Sequence, residues 1–358
     1  MLMRTLLLAA TAAFTLALPA SAQEEPKGAL APSEIVAAAP AADWVAIPAE
    51  DLLVMTLAPD AEGKPRQVVI QLMPAPFSQG WVHNIRLFTR AGWYDGISVN
   101  RVQDNYVTQW GDPNYDNPEA TGEAKPLPQG LKVMGEAEYV AKVVPGSLDM
   151  LLNSNGPMAE QEGTIAPPAL RPQVITVKYR TPDAYANWTG FAKGFPLGVN
   201  QFQGQREGKG FGWAIKDAWP THCYGMVGVG RNYSPDTGSG AELYTVIGHA
   251  PRHLDRNIAL VGRVIEGMQH LSSLPRGSGA LGFYTAEESA KRTPILSVRV
   301  ASDLAPSEQP SFEYLSTEST TFATYAKAIA NRRDPFFIVP AGGADICNIR
   351  VPVRRVAE

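Results

Sequence analysis

Glycine and proline constrain this chain more than any other feature: thirty-two glycines and thirty prolines are scattered through its 358 residues. Proline lacks a backbone donor and breaks a helix interior, and glycine weakens one. A helical bundle is therefore disfavoured, and a mainly β chain of short strands joined by turns is expected.

The strand-like runs agree with that expectation. Asp51–Leu57 and Arg66–Met73 flank the turn-forming residues Pro59–Gly63 and read as a hairpin. Ser78 reads as a helix N-cap, with Trp81, Val82, Ile85 and Phe88 on one helical face and Gly92 placed to end the helix. Ile97–Trp110 is again β-like. The middle, about 114–221, is dense in proline and glycine; it carries a strand over Gln173–Lys178 and a helical pattern over Pro182–Phe191. Beyond it, Tyr224–Val229, Glu242–Ile247 and Ile258–Val264 read as strands, Val264–Leu274 turns helical before Pro275 and Gly277, and Ile295–Val300 is a further strand. Phe312–Leu315, a helix over Thr320–Asn331 and a strand near Pro335–Val339 form a small α/β appendix.

Met1–Ala22 has one early positive charge, Arg4, an apolar run over Thr5–Leu18, and Ala20, Ser21 and Ala22 before Gln23. That is the pattern of a secretory signal peptide. The run is shorter than the ~20 residues that span a bilayer, and no later stretch is long and apolar enough. An exported chain that does not span a membrane is expected, with the periplasm as its compartment in a Gram-negative cell. Residues 23–45 are rich in Ala, Pro and Glu and read as a flexible lead-in. Without residues 1–22, 30 basic residues face 35 acidic ones, a net charge of −5. A mildly acidic chain without a basic block is a poor partner for nucleic acid. Cys223 and Cys347 are the only cysteines. Export permits one disulfide between them, and two buried thiols are the other reading.

Several short motifs follow one another in a telling order. Tyr94–Gly96 (Tyr-Asp-Gly) leads to Asn100-Arg-Val102 and on to Gln109-Trp-Gly-Asp112. In the second half come Gly225–Gly230, Ala241–Gly248, His253-Leu-Asp255 and Val261–Met268. In this order the segments resemble those of the cyclophilins, across about Asp51–Gly111 and Cys223–Leu304, some 140 residues. The resemblance implies a closed eight-stranded antiparallel barrel capped by two helices, spanning about 46–305. A large loop-rich insertion at about 114–221 interrupts it, and a C-terminal extension, 306–358, follows. It also implies a peptidyl-prolyl cis/trans isomerase that uses no cofactor and binds proline-containing polypeptides.

Isomerising an Xaa-Pro bond breaks no covalent bond; the barrier is amide resonance, about 18–20 kcal/mol. The catalyst must seat the proline ring in an apolar pocket and stabilise the twisted prolyl nitrogen, which a fixed guanidinium does electrostatically. By resemblance Arg101 is the catalytic arginine and Gln109 the glutamine that contacts the substrate backbone. Tyr106 and Tyr244 stand where the family has pocket phenylalanines, Val107 and Leu254 at apolar pocket positions, and Gly230 on the groove. Asn100 replaces a histidine beside the arginine, Glu242 a second glutamine, and His253 a bulky rim residue, all three still expected at the substrate. A carboxylate at 242 leaves two readings open: it positions the guanidinium, or it neutralises its field. His249 and His253 flank Pro251, which argues against the shared helical face a zinc pair would need, so no metal is expected. An alternative function is a weak or inactive binding module for exported or envelope proteins, with partners taken through the insertion or the C-terminal extension.

Overall fold

The computed structural model describes residues 28–115, 117–118, 120–143, 151–152, 158–165, 173–180, 183–206 and 210–356. The signal-peptide reading of 1–22 and the start of the lead-in lie outside them. Eight strands form the barrel: β1 (Leu52–Leu57), β2 (Arg66–Leu72), β3 (Ser98–Val102), β4 (Val107–Gly111), β5 (Met226–Val229), β6 (Leu243–Val246), β7 (Leu260–Glu266) and β8 (Ile295–Val300). They pair antiparallel in the order β8-β1-β2-β7-β5-β6-β4-β3. The remaining seam, between β3 and β8, is closed by Val99 N–H to Thr293 O at 2.9 Å, Ile295 N–H to Ile97 O at 2.8 Å and Gly96 N–H to Ile295 O at 2.9 Å. Closure leaves the barrel without an exposed edge.

The run in β1 is apolar almost throughout because both of its faces are covered. Leu53, Met55 and Leu57 join the barrel core. Leu52 and Val54 face outward and pack with Val69, Ala301, Ile47 and Phe312. An antiparallel strand open to water on one side would instead alternate.

Among the described residues four α-helices accompany the sheets: α1 (Pro32–Ala37), α2 (Gln79–Arg90), α3 (Gln269–Ser272) and α4 (Thr320–Ala330). Helix α2 buries Trp81, Val82, Ile85 and Phe88, as its sequence predicts. Its C-terminus is a Schellman motif: Gly92, at φ +62°, donates to Thr89 O and Trp93 donates to Phe88 O, while the Phe88 and Trp93 rings meet edge-on at 4.9 Å. Ser78 does precede the helix, but at φ +53° and with no side-chain cap bond. Gln79 anchors that end instead, donating from Nε2 to Met73 O and Phe77 O. The second capping helix, α3, is a single turn. None of the helices among the described residues is long and apolar enough to cross a membrane.

The insertion contains more strand than its proline and glycine content implied. Strands Ala141–Lys142, Gly210–Pro220, Phe195–Arg206, Trp188–Ala192 and Leu151–Leu152 form one sheet, and Met158–Ile165 pairs with Gln173–Arg180. The helix expected over Pro182–Phe191 does not form among the described residues of that span, where Trp188–Ala192 is a strand. Lys193 and Gly194, at φ +51° and +81°, make a two-residue hairpin turn that pairs Ala192 with Phe195. A turn of this kind holds both flanking strands in register.

Residues 32–45, read as part of a flexible lead-in, are instead built into the C-terminal unit together with Ala46. Trp44–Ala46 pairs with Phe312–Leu315, which pairs with Val353–Arg355. Ile35 of α1 and Trp44 join the cluster of Leu315, Phe322, Ala326 and Ile346. A short apolar segment shows no period of its own when its partner lies about 270 residues away. The strand expected near Pro335–Val339 does not form: Phe337 turns back on Asp334, and Phe336 and Ile338 are 84% and 96% exposed.

Cys223, ahead of β5, is bonded to Cys347 in the C-terminal unit, with Cα atoms 5.0 Å apart across a separation of 124 residues. Closing so long a loop limits the unfolded chain most, and the chain-entropy model gives about 4–5 kcal/mol. Cys347→Ser is expected to lower the unfolding free energy by about 2–5 kcal/mol in denaturant titrations under oxidising conditions. An unchanged midpoint would mean that the cross-link contributes nothing beyond the packing around it.

Candidate functional site

A β-bulge in β3 sets the site. Val99 pairs with Trp110 and Arg101 pairs with Gln109, so Asn100 is an extra residue in the strand. Simple alternation would put Arg101 on the same face as Val99, inside the barrel. With the bulge, Val99 and Val102 both enter the core and Arg101 faces out. Asn100 itself is 1% exposed; its Nδ2 donates to Gly111 O at 3.0 Å and its Oδ1 accepts from Ser98 Oγ. It therefore lies behind the site rather than in it, contrary to its expected place at the substrate.

Tyr244 on β6 pairs with Gln109, and Gln109 with Arg101, so three neighbouring strands carry one row of side chains on the barrel's outer face. They line a cavity of about 470 Å³ together with Tyr106, Val107, Gly230, Leu254, Ile258, Leu281 and Phe283. Val107, Tyr244 and Val246 form a small apolar cluster of their own at its floor, with Tyr106 and Ile258 against it. The Tyr244 ring lies on Gly228, where a Cβ would come within 2.3 Å of the phenol. Only glycine permits that approach.

The guanidinium of Arg101 is held from three directions. Nε donates to Leu281 O at 2.6 Å, Nη1 to Gln109 Oε1 at 3.0 Å and Nη2 to Gln103 Oε1 at 2.5 Å. The rings of Tyr106 and Phe283 flank it at 5.6 and 5.5 Å. All three acceptors are neutral. Burial lowers its pKa from the ordinary arginine value, the opposing effect of Tyr106 and Tyr244 being smaller; it remains a cation at any physiological pH.

Gln109 also donates from Nε2 to Glu242 Oε2 at 3.3 Å. A Glu242 carboxyl oxygen accepts that bond, which leaves the Gln109 carbonyl oxygen for Arg101. Glu242 is 4% exposed and lines a smaller adjoining cavity with Tyr115, Arg231 and Asp236, not the main one. His253 is exposed and outside both. Of the ten residues expected at the substrate, seven therefore line the cavity, Glu242 stands behind Gln109, and Asn100 and His253 lie elsewhere.

Two contributors were not foreseen. Phe283 sits in a loop without strand or helix period, and only its backbone bridge to Arg101 brings it in. His222 lies fully buried beneath Tyr244. Its Nε2 is 2.9 Å from the Tyr244 hydroxyl and its Nδ1 2.9 Å from Asp255 Oδ1. Because Asp255 accepts, Nδ1 carries the proton and Nε2 accepts from Tyr244. Burial lowers the His222 pKa, outweighing the upward pull of Asp255. Asp255 Oδ2 accepts from Arg252 Nε at 2.5 Å, and Arg252 grips Asp183 of the insertion with both terminal nitrogens, at 2.9 and 3.0 Å. A buried polar chain thus runs from the insertion to the cavity floor.

No protein-family model and no curated protein matches the chain. Among solved structures it is similar to the crystal structure of the cyclophilin AquaCyp293 from Hirschia baltica. The two are 20% identical, with a TM-score of 0.58 over 87% of this chain and 93% of the other. That coverage far exceeds the 140 or so residues that carry the motifs, so the likeness continues into the added regions. The chain has a cyclophilin-type fold: a nearly closed eight-stranded antiparallel barrel with a cavity on its outer face.

Proposed function

We propose that this protein is a peptidyl-prolyl cis/trans isomerase acting on Xaa-Pro bonds of exported proteins. The observation that carries the reading is the Arg101 guanidinium, pinned by neutral acceptors and two aromatic rings at an apolar cavity. Three of its five N–H groups are engaged among the described residues, which leaves one on each terminal nitrogen. A proline ring seated on Val107, Tyr244 and Leu254 would bring its nitrogen to those donors. As the amide twists, its lone pair localises on nitrogen, and a preorganised cation favours that state over the planar one. Export is supported by the leader-like start and by the disulfide, which persists in an oxidising compartment such as the periplasm.

Arg101→Ala is expected to lower kcat/KM for a short Xaa-Pro peptide by about 10²–10³-fold, with a much smaller change in peptide affinity. Exchange NMR reads both quantities. Bound peptide without accelerated exchange in the unaltered protein would instead favour the binding-module reading.

Glu242 supports the enzyme reading through Gln109, whose orientation it fixes toward Arg101. In Glu242→Gln both amide orientations become available at Gln109, and a several-fold loss of turnover is expected, on the order of the 1 kcal/mol that one net hydrogen bond contributes. A rise in turnover would show instead that the carboxylate damps the guanidinium field.

The cavity floor depends on a neutral His222. Its folded-state pKa lies below the ordinary 6.5, so between that lowered value and 6.5 the unfolded chain binds a proton that the folded one does not. The contribution of His222 to stability is thus complete above about pH 6.5 and lost as pH falls below it. Melting temperatures from pH 7.5 to 5 should fall on the acid side, and His222→Gln should flatten that slope. Parallel curves for the two proteins would show that other groups set it.

A further inference from the structure

A second cavity of about 470 Å³ lies away from the first, where β5 and β7 meet the C-terminal residues 346–353. Met226, Val264, Ile349 and Val351 give it apolar walls, and the Cys223–Cys347 bond runs along it. Arg263, on β7 between Met226 and Gln71, is part of its lining. Arg263 is 9% exposed, and its one side-chain hydrogen bond among the described residues is from Nε to Gln71 Oε1 at 2.9 Å. Nη2 is buried with no partner, and the Phe195 ring stacks at 4.9 Å.

No carboxylate among the described residues pairs with Arg263. Glu266, the acid of the cavity lining, is engaged by Arg355. The other charge in the lining is a second arginine, Arg350, which lies over the Tyr224 ring at 5.1 Å. Burial lowers the Arg263 pKa to about 10, so it is still a cation at neutral pH. A buried, unpaired cation costs several kcal/mol, and a neutral amide with an aromatic face offsets only part of that. The volume falls within the range of small-ligand pockets.

We propose that this cavity binds a carboxylate carried on an apolar body, with the carboxylate at Arg263 and the apolar part against Met226, Val264 and Ile349. The planar guanidinium suits a carboxylate, which accepts two parallel N–H bonds. Such a group reaches the cavity either on a free medium-chain acid or as the C-terminus of a polypeptide. The site is separate from Arg101 and does not depend on isomerase activity.

Calorimetric titration of the full chain tests the proposal, using octanoate against 1-octanol and N-acetyl-leucyl-leucine against its amide. At least one acid should bind, with its neutral counterpart tenfold or more weaker; whichever acid binds tighter identifies the source. Arg263→Met should abolish that binding, and Arg350→Ala should weaken it a few-fold. Without ligand, Arg263→Met should unfold at the same or a higher denaturant midpoint, because it removes an unpaired charge. A merely structural arginine would lower the midpoint. Methyl NMR of the unaltered protein gives a readout that needs no variant, since octanoate should shift the Met226 and Met268 signals that line the cavity. No binding by either acid, equal binding of acid and neutral partner, retained binding in Arg263→Met, or shifts confined to other methionines would each overturn the proposal.

Discussion

One extra residue in β3 decides which way the guanidinium points, and the candidate site depends on it. Without the bulge at Asn100, Arg101 would be directed into a core of Val99, Val227 and Leu243, where its charge would have no acceptor. With it, the arginine joins Gln109 and Tyr244 in a row across three paired strands. The bulge holds because Asn100 satisfies both ends of its amide, on Gly111 O and on Ser98. An unsatisfied amide at 1% exposure would weaken the whole arrangement. Asn100 thus acts through the position it gives its neighbour.

The added regions bear on the barrel in two ways. They cover it: the sheet of Trp44–Ala46, Phe312–Leu315 and Val353–Arg355 packs over β1, and the insertion's first stretch runs along α2. There Asn84 clamps the Lys132 backbone at both N–H and C=O, and Tyr139 stacks on Trp81. They also reach the cavity floor through Asp183, Arg252, Asp255, His222 and Tyr244. A buried ion-pair chain is weak evidence for stability, since desolvation offsets much of its attraction. What this one does provide is direction, for each member has one proton arrangement that satisfies its neighbours. The Tyr244 hydroxyl, which a phenylalanine at that position would lack, is what connects the floor to the chain.

Legibility in the sequence followed locality. The barrel strands, α2 and α4 were readable because their period and end signals lie within a few residues. Arg101, Tyr106, Val107, Gln109, Gly230, Tyr244 and Leu254 were readable because ordered motifs carry them, and the structure gathers them round one cavity. Asn100 and His253 share those motifs and lie elsewhere; a linear match cannot show a bulge, or a side chain that turns to solvent. The Lys193–Gly194 turn was a local signal and was missed, because the proline-rich surroundings hid the strand pattern. Phe283, His222 and α1 had no local signal, since their partners are far away in the chain.

Three desolvated arginines show how partner charge decides what a buried cation does. Arg252, 5% exposed, faces two carboxylates and is neutralised where it stands; it joins the insertion to the barrel and has no field left to offer. Among the described residues, Arg101 and Arg263 meet only amides, a carbonyl and aromatic faces, and burial pushes both of their pKa values down. Neutral acceptors fix a guanidinium's direction without cancelling its charge, which low local polarity then strengthens. Arg101 presents that charge at an open cavity, and on the proposed reading it acts on a group whose lone pair appears only as it twists. Arg263 presents it in the lining of another, the cavity proposed to take a permanent anion. At both arginines the fold desolvates a cation with no countercharge among the described residues, and in both places a ligand-sized cavity adjoins it.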